Sequence, residues 1–181
     1  PIGRAMPLLE QRAARQLFGD LLDELLAADL ALVNLECALT EAHTPIFKDG
    51  PALKATAACA AGLRSCGIEV VNLANNHILD FGQQGLRETR CACSAAGIAS
   101  FGAGDNLEEA GRILIREMNG VRIGLLGMAE HEFTIAGNDL GGANPIDPIE
   151  FVRKVMSVGT TGWDVLVVCL HGGKEHYPYP N

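Results

Sequence analysis

Glu36, Asn76 and His171 each stand just beyond a short apolar run. Ala31-Leu32-Val33 leads into Asn34-Leu35-Glu36. Val70-Val71-Asn72-Leu73-Ala74 leads into Asn75-Asn76-His77, with Asp80 close behind. Val165-Leu166-Val167-Val168-Cys169-Leu170 leads into His171-Gly172-Gly173, with Glu175 and His176 following. A carboxylate oxygen, an amide oxygen and an imidazole nitrogen make a mixed donor set. Such a set suits Mn²⁺, Fe or Zn²⁺ better than the Cys-rich ligation of a structural zinc site. His77 follows Asn76 directly and so points elsewhere, which leaves its ring free to act as a general acid toward a leaving oxygen. Asp80, about one helical turn later, is placed to orient that imidazole. Plainer roles exist for the same residues. Asn75 or Asn76 would serve as a helix cap, and a histidine in a Gly turn has many structural explanations. Capping does not account for Glu36 and His171 at equivalent strand ends.

The elements that must position these residues follow from periodicity. Continuous Val- and Leu-rich runs read as strands buried on both faces, expected at about 30–36, 68–74 and 164–170. In open α/β sheets the ligand sits beyond the carboxyl ends of such strands. Leu9, Ala13, Leu17, Leu21 and Leu25 recur at i, i+4, which predicts one amphipathic helix over 8–27. Pro51 suits the start of a helix that Gly67 closes, and a further helix is expected over 83–96, ending at Gly97. Gly82 and Gly85 let the backbone turn tightly into it. A short strand at 98–101 runs into Gly102-Ala103-Gly104, read as a strand exit rather than a phosphate loop. Asn119-Gly120 between two apolar segments is a two-residue hairpin signal. A polar, Gly-rich loop over 129–146 and a helix over 147–158 complete the order. Strands alternating with helices, plus one hairpin, imply an α/β fold with a largely parallel sheet covered on both faces.

Composition narrows the partners. The chain has 181 residues, 48% hydrophobic, with a net charge of −8 and no Lys/Arg block. Nucleic acid and anionic membranes are thereby disfavoured, and the 5% aromatic content offers no stacking platform. No apolar stretch approaches the roughly 20 residues of a membrane span. The six cysteines show neither a CxxC pair nor zinc-finger spacing. They read as reduced, structural thiols, which favours a reducing, cytoplasm-like compartment but leaves the location open, with Cys37 beside Glu36 as the one alternative soft ligand. His43 and His131 read as surface loop residues.

Several blocks then match one family. Asn34-Leu35-Glu36-Cys37 with Leu39-Thr40, followed by Lys48-Asp49-Gly50-Pro51, resembles the poly-gamma-glutamate capsule biosynthesis (CapA-type) family. Val71-Asn72-Leu73-Ala74-Asn75-Asn76-His77 with Asp80, Gly82, Gly85 and Leu86 is similar to its most diagnostic block. Gly102-Ala103-Gly104, Glu109-Ala110, and Leu170-His171-Gly172-Gly173 with Glu175 match further blocks in order, so the resemblance covers about 30–181. It implies a calcineurin-like metallophosphoesterase sandwich of two mixed sheets flanked by helices, forming one domain over 1–181. It also implies a dinuclear divalent-metal site at the strand ends. Glu36 then corresponds to the bridging acidic ligand, Asn76 to an amide ligand, His171 to a ligand on a later strand, and His77 to the catalytic histidine. Lys48 and Glu175 become candidate contacts for an anionic substrate, a phosphoester or a polyglutamate carboxylate. The implied activity is metal-dependent phosphoester hydrolysis in capsule-polymer synthesis. The alternative is a non-catalytic scaffold subunit among other capsule-synthesis proteins. The family's first aspartate is expected before Pro1 and its Gly-His-x-His block after Asn181, so the chain reads as truncated at both ends.

Overall fold

The structure, a computed structural model, describes residues 2–158 and 162–173. The N-terminal segment forms three short helices, α1 (Ile2–Glu10), α2 (Ala14–Phe18) and α3 (Leu21–Ala27), rather than the single helix expected over 8–27. Arg12 (φ 54°) and Gly19 (φ 55°) adopt left-handed backbone at the two breaks. The breaks let separate apolar groups reach the core: Met6 and Leu9 from α1, Phe18 from α2, and Leu22 and Leu25 from α3.

Strand β1 (Ala31–Asn34) follows, then β2 (Ala38–Leu39), β3 (Lys54–Ala55), helix α4 (Ala58–Ser65) and β4 (Ile68–Asn72). The helix expected from Pro51 thus begins only at Ala58. The intervening residues are held extended, because β3 pairs in parallel with β2 and the Leu53 N–H is bonded to Asp80. Helix α5 (Gly82–Ala95), β5 (Ala99–Phe101), β6 (Ala103–Gly104) and α6 (Leu107–Ala110) come next. The hairpin of β7 (Leu114–Met118) and β8 (Val121–Ala129) turns at Asn119-Gly120, both with positive φ, as the dipeptide requires. The two-residue strand β9 (Gly142–Ala143), α7 (Pro148–Val158) and β10 (Val165–His171) complete the described order.

Two three-stranded sheets carry the molecule. The first, β1-β4-β5, is wholly parallel. The second, β10-β8-β7, pairs β10 with β8 in parallel and β8 with β7 antiparallel. The expected α/β sandwich of largely parallel sheets with flanking helices is therefore present. Val70, Phe101 and Leu125 pack between the sheets, while the neighbouring Val71 joins the larger core under α4 and α5. Full burial of side chains such as Ile68, Val70 and Val71 is worth about 1.5–3 kcal/mol each. Two glycines permit close approach. A Cβ on Gly62 would fall 2.1 Å from the Leu9 carbonyl oxygen, and one on Gly127 would fall 2.1 Å from Asn72 Oδ1. Gly102 (φ 84°) turns the chain beneath Asn72 at the exit of β5, and Ala103-Gly104 continue as strand β6 rather than as a plain exit.

One strand departs from expectation. Among the described residues β10 lies at the sheet edge rather than buried on both faces: it pairs with β8, and Val165, Val167 and Leu170 are exposed. No helix among the described residues is long and apolar enough to cross a membrane.

The cysteines are free, and Cys37, Cys59, Cys66 and Cys93 lie in the core. Burial pushes the Cys37 thiol from 9.0 up to about 12 and the Cys93 thiol up to about 11. Cys37 is therefore a core packing residue whose burial favours the protonated thiol. Folding favours the protonated thiols, so their contribution to stability is whole below about pH 9. It is lost as the pH climbs from there toward 11–12, because the unfolded chain ionises first. In native protein at pH 8, Ellman's reagent is expected to label exposed Cys91 at once and half-buried Cys169 more slowly. The four core thiols should react only after unfolding; prompt reaction of more than two thiols would contradict this packing.

Candidate functional site

The candidate residues meet where the two sheets end side by side. β1 and β4 are parallel neighbours in register, Asn34 opposite Asn72, so their carboxyl ends deliver Glu36 and the Asn75-Asn76-His77 turn to one edge. His171 arrives from the second sheet, at the end of β10 opposite Ala129. His171 Nε2 lies 3.2 Å from Asn76 Oδ1 and 3.8 Å from Glu36 Oε1. These three line a cleft of about 510 Å³ together with His77, Lys48 and Glu130.

An asparagine network fixes the near wall. Asn34 Nδ2 donates to Glu36 Oε2 (3.0 Å), and Asn34 Oδ1 accepts from Asn72 Nδ2 (3.3 Å). Asn75, fully buried, donates to the Leu35 carbonyl (3.0 Å) and accepts the His77 N–H (3.0 Å). Thr134 in turn donates to the Asn75 carbonyl. Helix α5 starts at Gly82 with Phe81 at its cap position, so neither Asn75 nor Asn76 caps it. Their amides are committed to strand ends and to the His77 backbone, which sets the direction in which Asn76 and His77 diverge.

Beneath His77 lies a buried charged group. His77 Nδ1 is 2.7 Å from Asp80 Oδ2, and Asp80 Oδ1 is paired with the Lys48 ammonium. Asp80 is completely buried, and the Lys48 side chain is 4% exposed. A carboxylate cannot donate, so the proton in the 2.7 Å contact belongs to Nδ1, and Nε2 is the nitrogen left for the cleft. Lys48 Nζ, 3.2 Å from the same Nδ1, faces the shared carboxylate. Its charge is engaged by Asp80, unlike that of a solvated loop lysine or of a cation held free for substrate. Leu53 N–H also donates to Asp80 Oδ2 (2.6 Å), tying the segment after Pro51 to the site.

Donor chemistry and spacing both fit a divalent ion. Ligands bound at about 2.0–2.2 Å around one ion stand roughly 3–3.5 Å apart, close to the separations of His171 from Asn76 and Glu36. The set is small: among the described residues, no three His, Cys, Asp or Glu side chains gather around one point. Glu175 lies outside the described residues. His43 and His131 are exposed. Sequence reasoning missed Asn34 and Asn75 as supports and Glu130 as a cleft residue. Asn34 and Asn72 share a register position, which a pairing of the two strands would have revealed.

A family model described as bacterial capsule synthesis protein PGA_cap matches residues 3–181. The capsule biosynthesis protein CapA of Bacillus anthracis is 30% identical over 124 residues, covering 66% of this chain and 30% of that protein. The PGA biosynthesis protein CapA of Bacillus subtilis (strain 168) is 32% identical over 122 residues, covering 66% and 32%. A protein of Mycobacterium tuberculosis named "probable polyglutamine synthesis accessory protein" is 41% identical over 93 residues, covering 48% and 23%. The matched region is thus about a third or less of these relatives' length. Among solved structures, the NAD nucleotidase of Haemophilus influenzae superposes with a TM-score of 0.47 at 16% identity, covering 66% of this chain and 22% of that one.

Proposed function

The chain belongs to the bacterial capsule synthesis protein family, and from that membership we propose that it carries part of a metal-dependent phosphoester hydrolase acting in poly-gamma-glutamate capsule synthesis. One observation carries the reading: Glu36, Asn76 and His171 converge from two sheets at 3.2 and 3.8 Å, with His77 beside them. A divalent ion held by these three, Mn²⁺, Fe or Zn²⁺, would supply Lewis-acid polarisation of a phosphoryl oxygen. The proposal extends to a second ion whose remaining ligands come from outside the described residues.

The chain's own residues do the rest. Asn34 holds one Glu36 oxygen and leaves Oε1 toward His171. Asp80 fixes the His77 tautomer, so Nε2 carries a proton to the leaving oxygen when the ring is charged. The cleft wall also bears Glu36, Asp49, Glu130 and Glu132, while the Lys48 charge is spent on Asp80. An anionic substrate would meet negative charge there unless a cation came first.

Binding of poly-gamma-glutamate or of a phosphoester analogue by the full-length protein is therefore expected to need Mn²⁺ or Zn²⁺ and to vanish in EDTA. Asn76→Ala and His171→Ala should each weaken ion affinity by more than the roughly 10–100-fold that loss of a mere supporting partner costs. Undiminished ion affinity in both variants would remove the metal reading.

A second reading, a scaffold subunit that retains this cleft without turnover, draws on the smallness of the donor set among the described residues. The "accessory" in the mycobacterial relative's name favours it too. Phosphoester turnover by the metal-loaded full-length protein, abolished by Asn76→Ala, decides against it. Metal binding with no turnover on any phosphoester decides for it.

A further inference from the structure

We propose that Glu130 is a positioning residue for His171, acting through the turn that follows it; this rests on the metal-site reading above. Glu130 stands just past the end of β8 and grips the His171-Gly172-Gly173 turn from both sides. Its backbone N–H donates to the His171 carbonyl (2.9 Å), and its carboxylate Oε1 accepts the Gly173 N–H (2.9 Å). Between these two bonds the turn presses on the side chain. A Cβ on Gly172 would fall 2.4 Å from Glu130 Cγ and 2.6 Å from its carboxyl carbon. Gly173 has φ 118°, a backbone state that side-chain-bearing residues rarely adopt.

The two glycines thus have separate causes. Gly172 is small because the Glu130 side chain occupies the space, and Gly173 supplies the reversal that brings its N–H back to that carboxylate. The clamp matters because of where β10 lies. Among the described residues it lies at the sheet edge with exposed flanks and pairs with β8, and His171 is its last residue. Pairing ends at Ala129 opposite His171. Beyond that point, among the described residues, Glu130 bonds the backbone of the His171-Gly172-Gly173 turn, whose imidazole lies 3.2 Å from Asn76 and 3.8 Å from Glu36. The Glu130 carboxylate is engaged by the Gly173 N–H, so the role argued for it is orientation rather than ligation.

The test is calorimetric titration of the full-length protein with Mn²⁺ and, separately, Zn²⁺. Glu130→Ala is expected to weaken ion affinity by about 10–100-fold, the usual loss when a ligand's supporting partner goes. Glu130→Gln keeps an oxygen that accepts the Gly173 N–H and is expected to restore affinity to within a few-fold of the original. Gly172→Ala should reproduce the Glu130→Ala loss, and the double variant should lose little more than either single, since both break one contact. Far-UV circular dichroism and melting would confirm that the variants remain folded. Glu130→Gln binding as weakly as Glu130→Ala would overturn the proposal in favour of a role for the charge. Unchanged affinity in folded Glu130→Ala would overturn it outright. His171→Ala separates the two levels. If it binds ions normally, the metal-site reading itself fails; if it binds poorly while Glu130→Ala does not, only the clamp fails.

Discussion

Replacing His77 with alanine is expected to lower turnover of phosphoesters with poor leaving groups by about 10²–10⁴-fold, the usual contribution of a general acid, while divalent-ion affinity stays nearly intact. The reason lies in how the two adjacent side chains diverge. Asn76 Oδ1 faces His171, whereas His77 turns its Nδ1 to Asp80 and is not within contact of Glu36 or His171 among the described bonds. The loss should shrink for nitrophenyl esters, whose leaving groups need little protonation. Steady-state kinetics across a leaving-group series, with ion titration alongside, gives both readouts. A His77→Ala protein that sheds its metal, or that slows every ester equally, would show that the ring does something else.

The second large effect is on stability. Asp80→Ala removes the partner of an ammonium whose side chain is only 4% exposed, and it frees the Leu53 N–H and the His77 Nδ1–H at the same time. Breaking a buried pair from one side leaves an uncompensated charge and typically costs about 3–5 kcal/mol. Against a total stability of about 5–15 kcal/mol for a domain, that is a third or more. Urea unfolding should therefore show a large fall in midpoint with little change in slope. Lys48→Met should cost Asp80→Ala much of its effect, because the stranded charge is gone; the double variant is expected to be more stable than the two single losses added together. Strict additivity would mean that the Lys48–Asp80 pair contributes nothing as a pair. Either way, Asp80 joins stability to chemistry. The same carboxylate orients His77, neutralises Lys48 and anchors the segment that precedes α4.

Much of this was legible in the residues alone. The Val-rich run at β4, the Asn119-Gly120 turn, the Gly97 helix end and the strand exit at Gly102 are local preferences, decided by φ, side-chain shape and period, and the chain obeys them. So is the spacing that places Asp80 three residues after His77, which a turn converts directly into a 2.7 Å contact. Residue types at strand ends likewise named Glu36, Asn76 and His171 as a donor set. Local preference misled where packing outweighed it. The leucine repeat over 8–27 has helical period, but the chain breaks at Arg12 and Gly19, and three separate helices bring Met6 and Leu9, Phe18, and Leu22 and Leu25 to the core. Pro51 suits a helix start, yet hydrogen bonds from Ala38 and to Asp80 hold its neighbours extended. The apolar run of β10 reads as a fully buried strand, but burial depends on what lies alongside, and among the described residues β8 pairs with one of its sides.

The convergence itself belonged to the tertiary structure. Nothing in the spacing says that His171 comes from a different sheet than Glu36 and Asn76, 95 residues from the latter, or that Gly127 is bare so that the sheets can close on Asn72. Lys48 reads as a candidate contact for an anionic substrate until a buried carboxylate 32 residues away claims it, and Glu130 looks like any loop acid until the Gly172-Gly173 turn folds over it. The sequence by itself determined which side chains were available for chemistry and which elements end on them, because those follow from short-range stereochemistry. Only the tertiary structure decided which of them meet, which are spent on one another, and which glycines make room, because those distances are set by the packing of segments that lie far apart in the chain.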